Sequence, residues 1–246
     1  MMVTQGGRLE LFRRSVLDFC AQTYPHRRLV IVSSDRPAAV QPYAEWLKTI
    51  EWPWSITWHH IDVPAQLTVG QMRNIALDLS GEADFICTWD DDDRHHPERL
   101  SAHLTPMLID HKLVATYMPV QLYWFRSQRE LRVVDWRPMK TPGIVMFRHT
   151  DRRYESVNRH EDSRFFKSLQ LDGSVQPVVG KLDYYVRTIH DDNTSTQSHH
   201  LSIACHRSVS ARQLMDHQGY LRQVISRLDL GPGVKVCHKL RVLYVL

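Results

Sequence analysis

The chain has 246 residues, of which 43% are hydrophobic and 24% charged, and its formal net charge is +4 at pH 7. This is the composition of an ordinary globular protein and excludes a disordered chain. The mild positive charge favours anionic ligands such as nucleotides, but it falls short of the dense basic surface of a dedicated nucleic-acid binder.

The four cysteines are far apart and form no CxxC pair, so the sequence predicts neither a disulfide framework nor a zinc knuckle. No apolar run approaches the roughly 20 residues of a membrane-spanning helix, and residues 1–14 lack the apolar core of a signal peptide. We therefore expect a cytoplasmic protein, with peripheral contact to the inner face of a membrane left open.

The first half of the sequence predicts alternating helices and strands. Apolar residues at helical spacing indicate a helix over 9–20, and the β-branched run 29–33 indicates a strand buried on both faces. The pattern continues with a helix through 40–50, a strand over 55–61, a helix opening at Gly70, a strand over 84–89 and a helix after Pro97. This alternation predicts an α/β fold with a Rossmann-like, mainly parallel central sheet flanked by helices.

The second half is less regular, and some of its strands are expected to pair antiparallel. The predicted elements are strands over 113–118, 120–125, 131–136 and 143–148, a helix over 161–171, a strand over 181–190, a polar loop over 191–200 and a helix over 209–228. The last residues, 240–246, are expected to pack as a strand or a helix. Because no internal repeat or low-complexity linker interrupts the chain, we expect one domain spanning residues 1–246.

Four consecutive aspartates, Asp90, Asp91, Asp92 and Asp93, follow the predicted strand 84–89. Hard cations such as Mg²⁺ and Mn²⁺ prefer carboxylate oxygens and usually bind through one or two protein carboxylates plus substrate phosphates. A solvated acidic turn is the other interpretation, but ligands of parallel sheets bind beyond the carboxyl ends of strands, where this run lies. The adjacent histidines 95 and 96 are expected to be solvated turn residues.

Several motifs in a fixed order resemble the family 2 glycosyltransferases of GT-A fold. The residues that carry the resemblance in 69–100 are Gly70, Arg73, Asn74, Ala76, Gly81, Asp90, Asp92, Asp93, Pro97 and Leu100. Segments 22–32, 142–148, 160–166 and 184–195 are similar to further motifs of that family. The chain departs from the pattern in a shortened first strand, MMVTQGGR, and in SSDRP (33–37), where the family has an acidic base-reading loop.

The resemblance implies a metal-dependent, inverting glycosyltransferase. It would move a single sugar from a nucleotide-sugar, with a UDP-sugar expected, to a hydroxyl acceptor on a glycan or lipid-linked saccharide, using Mn²⁺ or Mg²⁺. Residues 1–110 would form the nucleotide-sugar-binding half, 111–195 the acceptor-side half, and 196–246 a C-terminal helical extension.

The resemblance also assigns site residues. The implied metal ligands are Asp92, Asp93 and His190; the implied donor-binding residues are Thr4, Arg8, Asp35, Arg73, Asp90 and Asp91. Asp162 would be the general base that takes the acceptor hydroxyl's proton, and Glu161 beside it would complete the catalytic pair.

Two other functions are compatible with the same fold. Arginines 126, 129, 132 and 137 interleave with Tyr123, Trp124 and Trp136, a pattern that would suit a nucleic-acid acceptor carrying a hydroxymethylated base. The plainer interpretation of that segment is an amphipathic hairpin. Alternatively, the shortened first strand would suit a non-catalytic GT-A-like domain that binds a nucleotide or a protein partner.

Overall fold

The computed structural model describes residues 1–51, 55–62, 67–137, 145–193 and 195–246. The described chain forms two compact units, one from Met1–Met118 and Thr141–Val178 and the other from Pro119–Lys140 and Val179–Leu246. The single domain and the internal boundaries expected from the sequence stay predictions.

The helices of the described residues alternate with strands through the first half of the chain. The helices are α1 (Leu9–Cys20), α2 (Pro37–Lys48), α3 (Val69–Ser80), α4 (Arg99–Ile109), α5 (Glu161–Leu169), α6 (Gln197–His206), α7 (Ala211–Asp216) and α8 (Gln218–Arg227). The strands are β1 (Met2–Val3), β2 (Arg28–Ser33), β3 (Ser55–His60), β4 (Phe85–Cys87), β5 (Arg94–His95), β6 (Leu113–Tyr117), β7 (Val120–Phe125), β8 (Glu130–Asp135), β9 (Val145–Arg148), β10 (Ser174–Pro177), β11 (Tyr185–Ile189), β12 (Lys235–His238) and β13 (Arg241–Val245). None of the helices in these described ranges is both long and apolar enough to cross a lipid bilayer.

The first unit contains a parallel sheet and a mixed sheet. Strands β1, β2 and β3 pair parallel in that order. The second sheet has the order β10-β6-β9-β4, in which β9 runs antiparallel to both β6 and β4. The α/β architecture with a parallel sheet is therefore confirmed, while the strand that precedes the aspartates lies in the mixed sheet.

Side chains of β2 alternate between two hydrophobic clusters. Val30 and Val32 pack with residues of α3 and α5, whereas Leu29 and Ile31 pack with residues of α1 and α4. Because both faces of the strand are buried, the sequence shows a continuous apolar run instead of alternation. Helices therefore cover both sides of this sheet.

The second unit contains a mixed sheet in the order β13-β12-β8-β7-β11. Neighbours β13–β12 and β8–β7 are antiparallel, and β12–β8 and β7–β11 are parallel. Leu122, Leu131 and Val186 of this sheet pack against Leu221 and Val224 of α8. The expected partly antiparallel pairing of the second half is confirmed.

Some elements differ from the sequence-based expectation. The strand predicted over 84–89 is limited to Phe85–Cys87, and the strand predicted over 143–148 is Val145–Arg148, its first two residues lying outside the described chain. The extension 196–246, expected to be helical, contains three helices and the hairpin β12–β13. Four-residue strands such as β12 carry too little periodicity to be recognised in a sequence.

The polar loop predicted over 191–200 was wrong at its end, because α6 begins at Gln197. The Thr196 hydroxyl caps this helix by accepting the His199 backbone N–H at 3.3 Å. Helix α6 buries His200 and Ala204, which lie four residues apart. One of the two buried positions of α6 is therefore a histidine, so the sequence lacks the apolar periodicity that would have indicated a helix.

Candidate active site

Helix α1 holds both ends of the aspartate turn. The Ser15 hydroxyl donates to the Asp90 carbonyl at 2.7 Å, and the Asp18 carboxylate accepts two bonds from Arg94, at 2.8 and 3.0 Å. Asp18 also accepts the His95 backbone N–H at 2.8 Å. These three contacts fix where the four carboxylates project. The sequence interpretation missed Ser15 and Asp18, although polar residues on the buried face of α1 were a usable signal.

His95 and His96 are buried, with 1% and 9% exposure, so their expected solvation was wrong. The Trp89 ring lies 3.9 Å from the His95 ring, centroid to centroid. His95 Nδ1 lies 2.7 Å from Arg99 Nη1, and because a guanidinium only donates, Nδ1 accepts and Nε2 carries the proton. Burial, reinforced by the charge of Arg99, lowers the pKa of His95 well below its usual value. The imidazole is therefore neutral, and Nε2–H faces the Asp90 carbonyl at 3.4 Å.

The four aspartates have different surroundings although they are consecutive. Asp91 and Asp93 are buried, with 2% and 3% exposure, whereas the side chains of Asp92 and Asp90 retain 13% and 21%. Burial raises the pKa of Asp91 to about 6, although Arg8 favours its charged form. Asp90 and Asp92 are thus the members whose carboxylates remain most accessible to a ligand.

The loop after β1 contacts the aspartates through Thr4 and Arg8. The Thr4 hydroxyl and the Arg8 guanidinium both donate to Asp91. Arg8 Nη1 also donates to Asp92 Oδ2 at 2.7 Å. Asp35 fixes the same loop, since its Oδ2 accepts the Gly6 N–H at 2.9 Å. The structure therefore brings these predicted donor-side residues together in the first unit.

Arg73 joins the aspartate run to the carboxylate pair of α5. Its guanidinium is buried and lies 3.4 Å from Asp90 Oδ1 and 3.5 Å from Glu161 Oε1. It also lies over the Tyr154 ring, 5.4 Å from the centroid. One arginine of α3 therefore connects the predicted donor side with the predicted acceptor side.

The neighbouring residues of α3 dock the segment that leads to α5. Asn74 forms two hydrogen bonds with the Tyr154 backbone, at 2.8 and 2.9 Å. A Cβ on Gly70 would lie 1.8 Å from the Glu155 carbonyl oxygen, so only glycine allows this approach. Gly70 N–H donates to the Val157 carbonyl at 3.1 Å. Gly70, Arg73 and Asn74 therefore lie on the face of α3 that contacts residues 154–157.

Glu161 and Asp162 open α5 in different environments. His160, which precedes them, adopts a left-handed conformation with φ 65° and ψ 6°, an uncommon conformation for a residue other than glycine. Glu161 is buried, and burial raises its pKa although Arg73 opposes this effect. Asp162 is partly exposed, and its Oδ1 accepts the Ser163 N–H at 2.6 Å. Asp162 is therefore the more accessible carboxylate of the pair.

His190 follows β11 in the second unit. It is buried, its backbone N–H donates to Asn193 Oδ1 at 2.6 Å, and its Nδ1 accepts the Asp192 N–H at 3.2 Å. Its role as a metal ligand stays a prediction, as does that of Asp93.

The donor set of the first unit fits a hard divalent cation that also binds phosphate. Within the described ranges, no group of three or more His, Cys, Asp or Glu side chains is arranged to hold a metal ion. Asp90 and Asp92 nevertheless offer two partly accessible carboxylates, the number that Mg²⁺ and Mn²⁺ commonly use when phosphates supply further ligands.

The segment considered for nucleic-acid stacking is a hairpin, β7–β8, in which both faces of the strands are buried. Tyr123 and Trp124 are buried, with 2% and 6% exposure, and Arg132 is buried beside Glu130. Buried rings offer no face on which a base can stack. Tyr123 and Trp124 therefore do not support the alternative of a base-stacking surface, and the plainer hairpin interpretation stands for this segment.

Comparison with known proteins identifies the fold. Neither a protein-family model nor a curated protein sequence matches the chain. The structure of S. aureus TarS 1-349 matches with a TM-score of 0.57 and 14% identity, over 76% of this chain and 59% of that chain. The same protein in complex with UDP-GlcNAc matches with a TM-score of 0.55 and 15% identity, over 78% and 58%. Mannosyltransferase PcManGT from Pyrobaculum calidifontis, in complex with GDP-Man and Mn²⁺, gives 0.54 and 14% over 81% and 59%.

The chain has a GT-A fold. It spans less than two thirds of the length of these three solved chains. Within the first unit, the aspartates follow β4, and Arg73 lies between Asp90 and Glu161 of α5.

Proposed function

We propose that this protein is a nucleotide-sugar-dependent glycosyltransferase of the family 2 type. The observation that carries the proposal is the bridge formed by Arg73 between Asp90 of the aspartate run and Glu161 of the α5 pair. A transferase needs a donor-diphosphate site next to a base for the acceptor, and this bridge keeps the two kinds of carboxylate adjacent. The GT-A fold supports the same conclusion.

The donor is a nucleoside diphosphate sugar, with a UDP-sugar expected. One TarS structure contains UDP-GlcNAc, and the mannosyltransferase structure contains GDP-Man with Mn²⁺. Asp92 would hold the cation with the donor phosphates, and Asp93 and His190 are further predicted ligands. When bound, the cation neutralises the charge that develops on the leaving diphosphate. Asp90 orients Arg73, whose guanidinium suits an anionic donor.

The acceptor side would use Asp162 as general base. Its partly exposed carboxylate, at the start of α5, takes the proton of the acceptor hydroxyl while that oxygen attacks the anomeric carbon opposite the diphosphate. Such a displacement inverts the anomeric configuration and adds one sugar. Glu161 is buried against Arg73 and would anchor the start of α5, so that Asp162 alone acts as the base. A glycan or lipid-linked hydroxyl is the expected acceptor.

The first test is metal-dependent nucleotide binding. We expect UDP or GDP to raise the melting temperature only when Mn²⁺ or Mg²⁺ is present, and the Asp92→Asn variant to lose this shift. Asp216→Asn, an exposed carboxylate in the second unit, is the matched control and should keep the shift. Stabilisation by nucleotide alone, or an unchanged shift in Asp92→Asn, would contradict the assignment.

The second test separates binding from chemistry. Asp162→Asn should keep the nucleotide-induced shift but lower sugar transfer by about 10²- to 10⁴-fold, because a positioned base contributes about this much to the rate. Release of nucleoside diphosphate from a panel of nucleotide-sugars with Mn²⁺ measures the rate and identifies the donor. If the panel releases nothing while nucleotide and metal bind, the domain is a binding module and the enzymatic proposal is wrong.

A further inference from the structure

The guanidinium of Arg8 contacts two carboxylates of the aspartate run, one through two nitrogens and the other through a single nitrogen. Nη2 and Nε contact the two oxygens of Asp91, at 2.9 and 3.2 Å, whereas Nη1 alone contacts Asp92, at 2.7 Å from Oδ2. The side chain of Arg8 is 13% exposed, as is that of Asp92. A cation of the chain therefore already occupies one oxygen of the carboxylate proposed to hold the metal.

The attachment of Arg8 to Asp91 is firm. Two hydrogen-bonding groups of the guanidinium meet the Asp91 carboxylate in a forked arrangement, the geometry that gives arginine–carboxylate pairs their strength. Thr4 donates to the same carboxylate, and the Arg8 backbone N–H donates to the Tyr43 hydroxyl at 2.7 Å. Asp91 is 2% exposed, so water does not compete for these bonds.

The attachment of Arg8 to Asp92 is a single bond at the accessible edge of the run. Breaking it leaves the guanidinium held by Asp91 and leaves Asp92 with its carboxylate still partly open to solvent. Arg8 can therefore release Asp92 while its bonds to Asp91 persist.

We propose that Arg8 is the resident counter-cation of Asp92 and that a divalent cation has to displace it from this carboxylate. The inference rests on the proposed function, because it takes Asp92 as the metal ligand. In the free protein, Arg8 lowers the affinity for the metal in two ways: it occupies an oxygen of Asp92, and its positive charge repels a second cation nearby. A nucleoside diphosphate offers Arg8 and the metal additional negative charge, so both cations fit once the donor is bound. Arg8 therefore makes metal binding depend on the nucleotide.

The test measures Mn²⁺ binding directly, without turnover. Free Mn²⁺ is followed by its paramagnetic resonance signal during titration of the full chain in the absence of nucleotide. We expect Arg8→Met, which keeps the side-chain length and removes the charge, to bind Mn²⁺ at least tenfold more tightly than the wild type. Arg8→Lys keeps the charge and should stay within about threefold of the wild type. Weaker or equal binding by Arg8→Met would overturn the inference and leave Arg8 as a structural support of the site.

A second measurement uses only the wild-type protein, in case Arg8→Met does not fold. In a crystal structure with UDP and Mn²⁺, we expect the Arg8–Asp92 contact to open beyond hydrogen-bond distance while the Arg8–Asp91 contacts persist. A retained contact of Arg8 with Asp92 in a structure containing the metal would contradict displacement.

The outcomes separate the two proposals. If the wild type binds no Mn²⁺, whether UDP or GDP is present or absent, the proposed function and this inference both fail. If the wild type binds Mn²⁺ together with UDP or GDP but Arg8→Met gains no affinity, the proposed function stands and only the role of Arg8 is refuted.

Discussion

Two neighbouring carboxylates of the aspartate run, Asp91 and Asp92, have separate tasks. Asp91 is buried and accepts hydrogen bonds from Thr4 and Arg8, so it ties the loop after β1 to the end of β4. Asp92 accepts a bond from Arg8, and 13% of its side chain stays exposed. One carboxylate is therefore tied into the fold, and the other stays accessible to the proposed metal.

This difference predicts opposite phenotypes. Asp91→Asn leaves the largely buried guanidinium of Arg8 without its main counter-charge and should lower the free energy of unfolding by about 3 kcal/mol. Asp92→Asn removes one of several like charges and should change it by less than about 1 kcal/mol. Urea unfolding of both variants measures these changes; equal losses would show that the two carboxylates contribute alike.

His103 gives a second prediction, on pH dependence. It is fully buried, with Nδ1 3.0 Å from the Thr116 hydroxyl, and burial, with the charge of Arg99, lowers its pKa well below 6.5. The folded state keeps this imidazole neutral, while the unfolded chain takes up a proton below about pH 6.5. Stability is therefore lost as the pH falls, by about 1.4 kcal/mol per pH unit for this group.

The check is the comparison with His103→Gln, which removes the titrating ring and keeps a hydrogen-bonding group. Between about pH 6.5 and 5, the wild type should lose about 1.4 kcal/mol per pH unit more than the variant. His95 titrates in both proteins, so it cancels in the difference. Parallel stability curves would contradict the assignment.

At the scale of elements, α3 has a close backbone approach that fixes its first turn. Gly70→Ala would place a Cβ 1.8 Å from the Glu155 carbonyl oxygen, and because that atom belongs to the backbone it cannot move aside cheaply. We expect a loss of about 3 kcal/mol, seen as a lower melting temperature.

The control for Gly70→Ala is Gly219→Ala in α8, where a Cβ meets nothing within 4 Å. Alanine is the better helix former, so this variant should gain about 0.5–1 kcal/mol. If both substitutions destabilised the protein alike, the close approach at Gly70 would not be the cause.

The elements also explain what a single sequence could reveal. The run 29–33, the helix opening at Gly70 and the aspartates after β4 were predictable because burial on both faces, capping and charge leave local traces. The difference between Asp91 and Asp92 was not predictable, because it comes from Thr4 and Arg8, more than eighty positions away. Position in three dimensions, and not residue type, distinguishes the two.

The same limit applies to residues that act through contacts between distant segments. Arg73 was recognised from a motif, yet its bridge to Glu161 depends on how α5 packs on α3. His95 looked solvated because it follows four aspartates, but Asp18 and Arg99 hold it inside. The polar neighbours of His95 in the sequence therefore gave a wrong prediction of its exposure. Hydrogen bonds with Asp18 and Arg99 allow this polar residue to be buried.

At the scale of the molecule, charge is divided between the two units. The second unit contains fourteen Lys and Arg against seven Asp and Glu, a net charge of +7, which leaves −3 on the first unit. Exposed basic side chains of the second unit include Arg212 on α7 and Arg222 on α8. Such an asymmetry favours an anionic macromolecule as ligand of the second unit.

This asymmetry predicts salt-sensitive binding of polyanions. Arg212→Glu combined with Arg222→Glu should elute from a heparin column at clearly lower salt than the wild type, because fewer counterions are exchanged. Lys48→Glu combined with Lys112→Glu, the same change of charge at exposed positions of the first unit, should shift the elution much less. Equal shifts would mean that net charge alone, and not the second unit, governs retention.

The close contact of Gly70 with the Glu155 backbone also determines how α3 can move. Backbone lies directly against backbone there, and Asn74 adds two further bonds to Tyr154, so α3 and residues 154–157 form a stiff body with no compressible side chain between them. Any displacement of Arg73 is therefore transmitted to the chain immediately before Glu161 and Asp162. In the proposed transferase, loading of the donor and orientation of the base would then be a single movement, and acceptor activation would wait for an occupied donor site.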